Sequence, residues 1–590
     1  MLTPPLRPAA PFGPAAVLLA FVIWHLPALG VGLTADDLWW ALSLQGGAHA
    51  APFDLNYAVA EDFWRDRGVG FWWTSPDIRW TLARPLAGAL FAAMIPLFDP
   101  RSWAWQGLGI VGTLSLVAAS WPLFRRLLGG RAALLALALF AAHPAHLQLV
   151  WFVSTHHAWM GATPALLGLV AWIRWRGDGW APGLWLGPLG VVVGLASSET
   201  ALGALPYAAA FEWVTRRPGW RGAIGGVGAL SVAYTALHTA LGFGVEGSAL
   251  YLDPRVDPLG ASLGVLSRGP VLLSGALALL PADLWLTVPA ARPVLVTLGL
   301  GGAAWVGLSL RGAWPTLSQD HRDAAQIGTL GALAGLPLFT VSAPGGRLVL
   351  WMTLGSVMVL AVLMERAWTR WRGAGERRGL VVLSPLILGA LCGALMIPPQ
   401  LRVVAGFAED LRLAAERAEL PSPMPPDTFV LVLTLPDAWT ALTLIPARLV
   451  ADGGVAPDRL VLLSASPTDH RLERLSDDTL TLRLASGRLW EQPLERLFLR
   501  PDDLRQSPTR WAREGLTVTR LDPDLEPTPD AGPAALSFTF DPPLSDRRWR
   551  VFTWADGALR SVDLPAPGQG LDLPWSPGPL PTPNGGPSER

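Results

Sequence analysis

Charge-poor apolar runs of bilayer-spanning length recur through the first two thirds of this chain, and they leave few folds open. About 20 apolar residues in helical conformation cross the hydrocarbon core with every backbone N–H and C=O paired inside the segment. The first run, Pro14–Leu33, carries no charge at all. Further candidates are Trp103–Phe124, Ala132–Leu149, His157–Ile173, Ala181–Ala196, Ala201–Phe211 and Ile224–Leu241. Pro289–Leu310, Ala324–Val341, Leu348–Met364 and Leu380–Ile397 complete a set of about eleven. With 51% hydrophobic and 15% charged residues, the composition is that of a membrane protein. A net charge of -1 argues against a nucleic-acid partner. The single cysteine, Cys392, excludes an intramolecular disulfide. The sequence predicts an all-α polytopic membrane protein with a C-terminal β-rich extracytoplasmic domain.

Arginine sets the orientation, since lysine is absent. Arg7, Arg125/Arg126/Arg131, Arg174/Arg176, Arg216/Arg217/Arg221, Arg311/Arg322 and Arg366/Arg370/Arg372/Arg377/Arg378 share one side if Pro85–Phe98 does not cross. The positive-inside rule makes that side cytoplasmic. The N-terminus is then a cytoplasmic, uncleaved signal anchor. Residues 34–102 form a large first external loop, and Leu263–Leu280 lies along the outer surface. The transmembrane domain is expected to occupy 1–400. An amphipathic helix and Pro-rich linker cover 401–426, the β-rich domain 427–564, and a disordered Pro/Gly-rich tail 565–590.

Polar residues on the external side form the candidate site. Asp36 and Asp37 stand where the first span meets water, a place where a carboxylate is costly to leave idle. The stretch HPAHLQLVWFVSTHH holds four of the nine histidines, with His143 and His146 three apart on one helical face. A bland reading, the gathering of Trp and His at any interface, explains part of this. No HExxH-type pattern is present, so zinc is not expected; no cofactor is called for, and a divalent metal stays open. Glu199 lies in the turn SSETALGALP. Arg347 follows Pro344-Gly345-Gly346, and Arg84 precedes Pro85-Leu86; both arginines run against the charge bias of their side. An anionic headgroup or substrate phosphate would account for them. Acids, imidazoles and arginines at headgroup depth suit transfer from a lipid-phosphate donor. One carboxylate would act as general base and cations would stabilise the departing phosphate. Adjacent helical positions diverge by about 100°, so only one aspartate addresses the proton and the other orients a neighbour.

These motifs, in this order, resemble the GT-C superfamily of polyprenyl-phosphate-sugar-dependent glycosyltransferases, most closely its protein O-mannosyltransferase branch and the transmembrane tetratricopeptide mannosyltransferases. The matching residues are Asp36/Asp37, Arg84-Pro85-Leu86, Arg125/Arg126/Gly129 and His143-Pro144/His146. Ser197/Glu199/Thr200/Ala201/Leu202 and Arg347 complete the match, which covers about residues 10–400. Gln148, Ser198, Gly346 and Leu348 depart from the family pattern. The resemblance implies an inverting transfer of a mannose-like sugar from polyprenyl phosphate to a protein or glycan hydroxyl outside a bacterial plasma membrane. Asp36 and Asp37 would be catalytic, and Arg84, His143, His146, Glu199 and Arg347 would bind the lipid-phosphate substrate. A flippase of lipid-linked sugar and an inactive envelope scaffold are the competing readings. The first calls for acids at mid-membrane depth, whereas these acids sit at helix ends.

Overall fold

The computed structural model describes residues 12–45, 71–75, 78–277, 280–425, 427–452, 456–492, 494–500, 509–522 and 532–579. Arg7, Arg65, Arg67 and the tail beyond 579 lie outside them. Helices dominate up to Arg417. They begin with α1 (Phe12–His25), α2 (Asp36–Gln45), α3 (Pro85–Met94), α4 (Ala104–Leu127), α5 (Gly130–Ala141) and α6 (Leu147–Trp151). Next come α7 (His156–Asp178), α8 (Gly183–Leu195), α9 (Ala204–Thr215), α10 (Trp220–Ala240), α11 (Pro258–Ala276) and the single turn α12 (Leu284–Thr287). The series closes with α13 (Arg292–Ala313), α14 (Gln319–Phe339), α15 (Leu350–Ala374) and α16 (Arg378–Arg417).

Among the described residues six helical segments are long and apolar enough to cross a membrane, or seven if α5 and α6, bent by 46°, form one broken span. That is fewer than the apolar runs suggested. Helices α8 and α9 have only 13 and 12 residues. Helices α7 and α14 are long enough but carry charge near one end, at Arg174, Arg176 and Asp178, and at Asp320, Arg322 and Asp323. The ten-residue α3 is too short to cross, at about 15 Å.

Three of the arginine-rich turns, those of Arg126, Arg176 and Arg217, form a linked group at one end of the bundle. Arg176 holds the fully buried Glu212 through Nε (2.7 Å) and Nη2 (2.8 Å), and Arg217 donates to the Arg176 carbonyl at 2.9 Å. Arg126 pairs with Asp178 in the same group. Helix α4 separates this end from Gln106, whose amide donates to the carbonyls of Gly32 (2.7 Å) and Trp151 (3.1 Å). Twenty helical steps put the two ends about 30 Å apart.

Helix α16 has 40 residues, so the expected final span and the expected amphipathic helix are one element. Proline keeps a helical φ, and the fully buried Ile397 and Leu401 flank Pro398 and Pro399 on the packed side. Beyond α16, β3 (Phe429–Thr434) and β4 (Arg459–Ser464) run parallel, joined by α17 (Ala438–Ala451). They belong to a four-stranded sheet ordered β11-β10-β3-β4, with β10 (Trp549–Ala555) and β11 (Ala558–Ser561). A second sheet, ordered β12-β5-β6-β9-β8-β7, is antiparallel throughout. Its strands are β5 (His470–Arg474), β6 (Thr479–Leu484), β7 (Arg510–Arg513), β8 (Leu516–Arg520), β9 (Ala535–Phe540) and β12 (Gly570–Leu573). Strand β12 corrects the reading of 565–590 as disordered for its described part, residues 565–579. Leu571 and Leu573 pair with Leu472 and His470, and the Trp575 indole donates to the Pro436 carbonyl at 3.1 Å. Pro and Gly content alone did not register these aromatic and apolar anchors.

Two large hydrophobic cores result, with a small third one of Ala87, Phe91, Trp105 and Val153. One fills the helix bundle. The other fills the C-terminal domain, and it also contains Leu38, Ala41 and Leu42 of α2, residues Phe71–Trp73, and Leu411, Ala414 and Ala415 of α16. Two described parts of the loop after the first span, α2 and Phe71–Trp73, are therefore part of the interior of the C-terminal domain. The Trp72 indole donates to the Leu463 carbonyl and the Trp73 indole to the Glu495 carbonyl, each at 3.1 Å.

Candidate functional site

Ala35 holds φ at 47°, a left-handed value uncommon outside glycine, directly before Asp36. This bend starts α2 with both aspartates in its first turn, where unpaired N–H groups favour negative charge. The two acids then part. Asp37 is 3% exposed and accepts N–H donors from Ser154 (2.5 Å), Thr34 (3.2 Å) and Val153 (3.3 Å). Burial pushes its carboxyl up to about 8, against the pull of those three donors. Asp36 is exposed.

The Val153–Ser154 segment that Asp37 grips belongs to a turn, residues 144–157, that joins the remaining parts of the site. At one end of it Gln148 donates its amide to Asp283 Oδ1 at 2.7 Å and accepts the Arg347 N–H at 3.2 Å. Both oxygens of Asp283 take the Gly346 N–H at 3.1 Å, so the turn before Arg347 is docked on an amide–carboxylate pair. Burial raises the Asp283 carboxyl above its usual range, and the Gly346 N–H opposes this. At the other end His157 Nδ1 lies 2.8 Å from the Ser198 hydroxyl, whose oxygen accepts the Thr200 N–H and so shapes the turn that carries Glu199.

Glu199 and Arg84 form a two-pronged ion pair. Arg84 Nε donates to Oε2 at 2.9 Å and Nη2 to Oε1. The Arg84 side chain is 7% exposed and that of Glu199 40%. Desolvation acts to push the Glu199 carboxyl up, yet Arg84, and His157 beside it, hold it far below the usual carboxylate range. A carboxylate that keeps this much exposure while suffering desolvation lines a recess, not a convex surface. Arg84 reaches the pair because β1 (Arg79–Thr81) is tied to β2 (Gly244–Glu246) three residues upstream. Arg347 is partly exposed, and among the described residues its guanidinium has no hydrogen-bond or ion-pair partner. It acts electrostatically on both His157 and Asp283.

Asp37, Glu199, Arg84 and Arg347 are thus linked through one turn. His143 and His146 are not part of this opening. His146 has no exposed surface, lies 2.8 Å from the Phe140 carbonyl through Nε2, and packs edge-on against Phe140 and Phe21. His143 is 5% exposed and its Nδ1 accepts the Ala145 N–H at 3.0 Å. Both rings are buried at the break between α5 and α6, away from the opening at which the sequence suggested they bind a ligand, and His143 Nε2 and His146 Nδ1 have no hydrogen-bond partner among the described residues. Conversely, Asp283 and His157 hold the site together without having been singled out. Asp283 follows an apolar run as a lone acid, the same signal that drew attention to Asp36.

No family model and no curated protein matches the chain. Among solved structures, the Archaeoglobus fulgidus oligosaccharyltransferase tethered with an acceptor peptide is similar with TM-score 0.42 at 12% identity, over 77% of this chain and 64% of that one. The same oligosaccharyltransferase in complex with an inhibitory peptide and a dolichol-phosphate gives 0.40 at 13%, over 77% and 65%. ArnT from Cupriavidus metallidurans bound to undecaprenyl phosphate gives 0.41 at 14%, over 77% and 90%. The chain therefore spans just under two thirds of the archaeal protein's length.

Proposed function

We propose that this chain is a membrane glycosyltransferase that moves a sugar, mannose-like in class, from a polyprenyl-phosphate donor to an acceptor hydroxyl. The observation that carries the reading is the Arg347 guanidinium, which has no partner among the described residues and acts electrostatically on the same His157 as the Arg84–Glu199 pair. Glu199 neutralises Arg84, whereas Arg347 keeps a full charge for an incoming anion, and a phosphate is the anion that a planar guanidinium grips best. In this scheme Asp36 accepts the proton of the acceptor hydroxyl. The acceptor oxygen attacks the anomeric carbon from the face opposite the phosphate, the carbon–oxygen bond to phosphate breaks, and the configuration inverts. Arg347 stabilises the charge growing on the departing lipid phosphate. Asp37 is the orienting partner, fixing the turn that connects the site's parts.

The C-terminal domain would face the outside of a bacterial plasma membrane and the arginine-rich turns the cytoplasm, by the charge rule. Reporter fusions after Arg126 and Asp556 should read inside and outside respectively. The decisive assay is transfer of labelled sugar from polyprenyl phosphate by purified protein. Asp36→Asn should lower turnover by at least about 100-fold, in the range of a lost general base, without loss of fold. Asp37→Asn should lower both turnover and thermal stability. Full activity in Asp36→Asn removes the catalytic assignment.

A further inference from the structure

Helix α10 exposes most of its length, and no residue in it is fully buried. Beyond Arg221 in its first turn, its side chains are apolar or small except at the inner face, where Tyr234 and His238 sit one turn apart and therefore side by side. The two rings are 5.6 Å apart, and His238 continues to Phe243 at 5.5 Å, so three aromatic rings form a continuous ladder. Glu199 and Arg84 both act electrostatically on Tyr234 and on His238. The backbone explains this proximity. Phe243 leads directly into β2, β2 pairs with β1, and the Thr81 hydroxyl donates to the Gly242 carbonyl at 3.0 Å. The strand that delivers Arg84 is thereby laced to the end of the ladder.

Among the described residues neither the Tyr234 hydroxyl nor the His238 imidazole has a hydrogen-bond partner. A half-buried tyrosine normally finds one. An ionisable ring within a spanning helix is expensive unless it serves a partner or a ligand. The ladder offers flat faces together with one hydroxyl and one imidazole, next to a carboxylate that is open on one side. Flat rings match the C–H face of a pyranose, and the three polar groups match its hydroxyls.

We propose that Tyr234, His238 and Phe243 form a saccharide-binding wall opposite the Arg84–Glu199 pair, with the pyranose ring of the transferred sugar as its ligand. This rests on the glycosyltransferase reading and specifies which residues grip the sugar, as distinct from the phosphate. Sugar recognition and lipid-phosphate recognition then lie on separate segments, the former on α10 and the residue that precedes β2, the latter at Arg347.

The test is calorimetric titration of the full-length protein in lipid nanodiscs with two probes: undecaprenyl phosphate alone, and undecaprenyl phosphate bearing one mannose or one glucose. Wild type should bind a sugar-bearing lipid about tenfold more tightly than the bare lipid, the worth of one or two net hydrogen bonds. Tyr234→Ala and His238→Ala should lose most of that increment while binding the bare lipid as wild type does. Tyr234→Phe and His238→Gln guard against misfolding. The first should keep the stacking part of the increment and the second the hydrogen-bonding part. If the bare lipid binds and the increment is absent from wild type, or persists undiminished in both alanine variants, the wall is wrong while the transferase reading stands. If neither lipid binds wild type, the transferase reading falls and takes the wall with it.

Discussion

Asp36 and Asp37 share a side-chain chemistry and a helix turn, and one position separates exposure from near-complete burial. Gln148 shows the same sensitivity to single atoms. Its amide nitrogen faces Asp283 at 2.7 Å while its oxygen takes the Arg347 N–H. A carboxylate here would meet Asp283 as a like charge. Gln148→Glu should therefore destabilise the turn before Arg347 by about 1–3 kcal/mol, the cost of a buried polar group left unmatched. Transfer activity should fall with it. The double variant Gln148→Glu/Asp283→Asn reverses donor and acceptor and should recover the melting temperature. A double variant no more stable than the single one would show that the pair does not hold the turn. The sequence flagged both aspartates, Arg84, Glu199 and Arg347 because charge beside an apolar run is conspicuous. It could not reveal that His143 and His146 are packed inward, since a histidine at a helix break has the same letter whether it faces lipid, protein or ligand.

At the level of elements, helix contacts depend on single missing methyl groups. A Cβ on Gly299 of α13 would sit 1.8 Å from the Pro270 carbonyl oxygen of α11. Gly299→Ala should force the two helices apart at about 1–3 kcal/mol or more, seen as a lower melting temperature in detergent. In the C-terminal domain Glu495 is 1% exposed and accepts from the Ser466 hydroxyl (3.3 Å) and the Gln492 N–H (3.1 Å). Burial pushes its carboxyl up to about 7, from an ordinary 4.5. A raised folded-state value means that folding favours the protonated acid. The stabilisation is complete below about 4.5 and is lost as pH rises through about 7. Glu495→Gln, which can accept from Gln492 and donate to Ser466, should flatten the melting-temperature profile across that window. An unchanged slope would place the titration elsewhere. The strands legible beforehand were those with apolar runs, continuous in β3 and β4 and interrupted in β9. Strands β5 (HRLER) and β7 (RWAR) were not, because their charged letters mask a partner strand that only the fold supplies. The apolar α17, set among strand-like runs, was missed for the opposite reason: short apolar segments do not declare their period.

For the molecule as a whole, the membrane class was legible because the bilayer demands long apolar helices, a constraint written directly into composition. The union of the first loop with the C-terminal domain was not, since pairings across some four hundred positions leave no local trace. Trp72 lies between Trp490, Trp511 and Phe538, with ring centroids 6.3, 5.3 and 5.7 Å away. Trp72→Ala should cost about 3–5 kcal/mol and lower turnover as well, because the loop that it anchors carries Asp36 at one end and Arg84 at the other. Loss of stability with turnover intact would mean that the anchor leaves the site untouched.

Translation makes residue 36 long before it makes Phe538. Leu38, Ala41 and Leu42, in the helix that this acid begins, nonetheless pack in the same core as Phe71–Trp73 and Phe538. The chemistry proposed for this chain would thus be the last thing to mature: a polypeptide stalled or clipped before its final sheet would leave that core open and the proposed site unfinished.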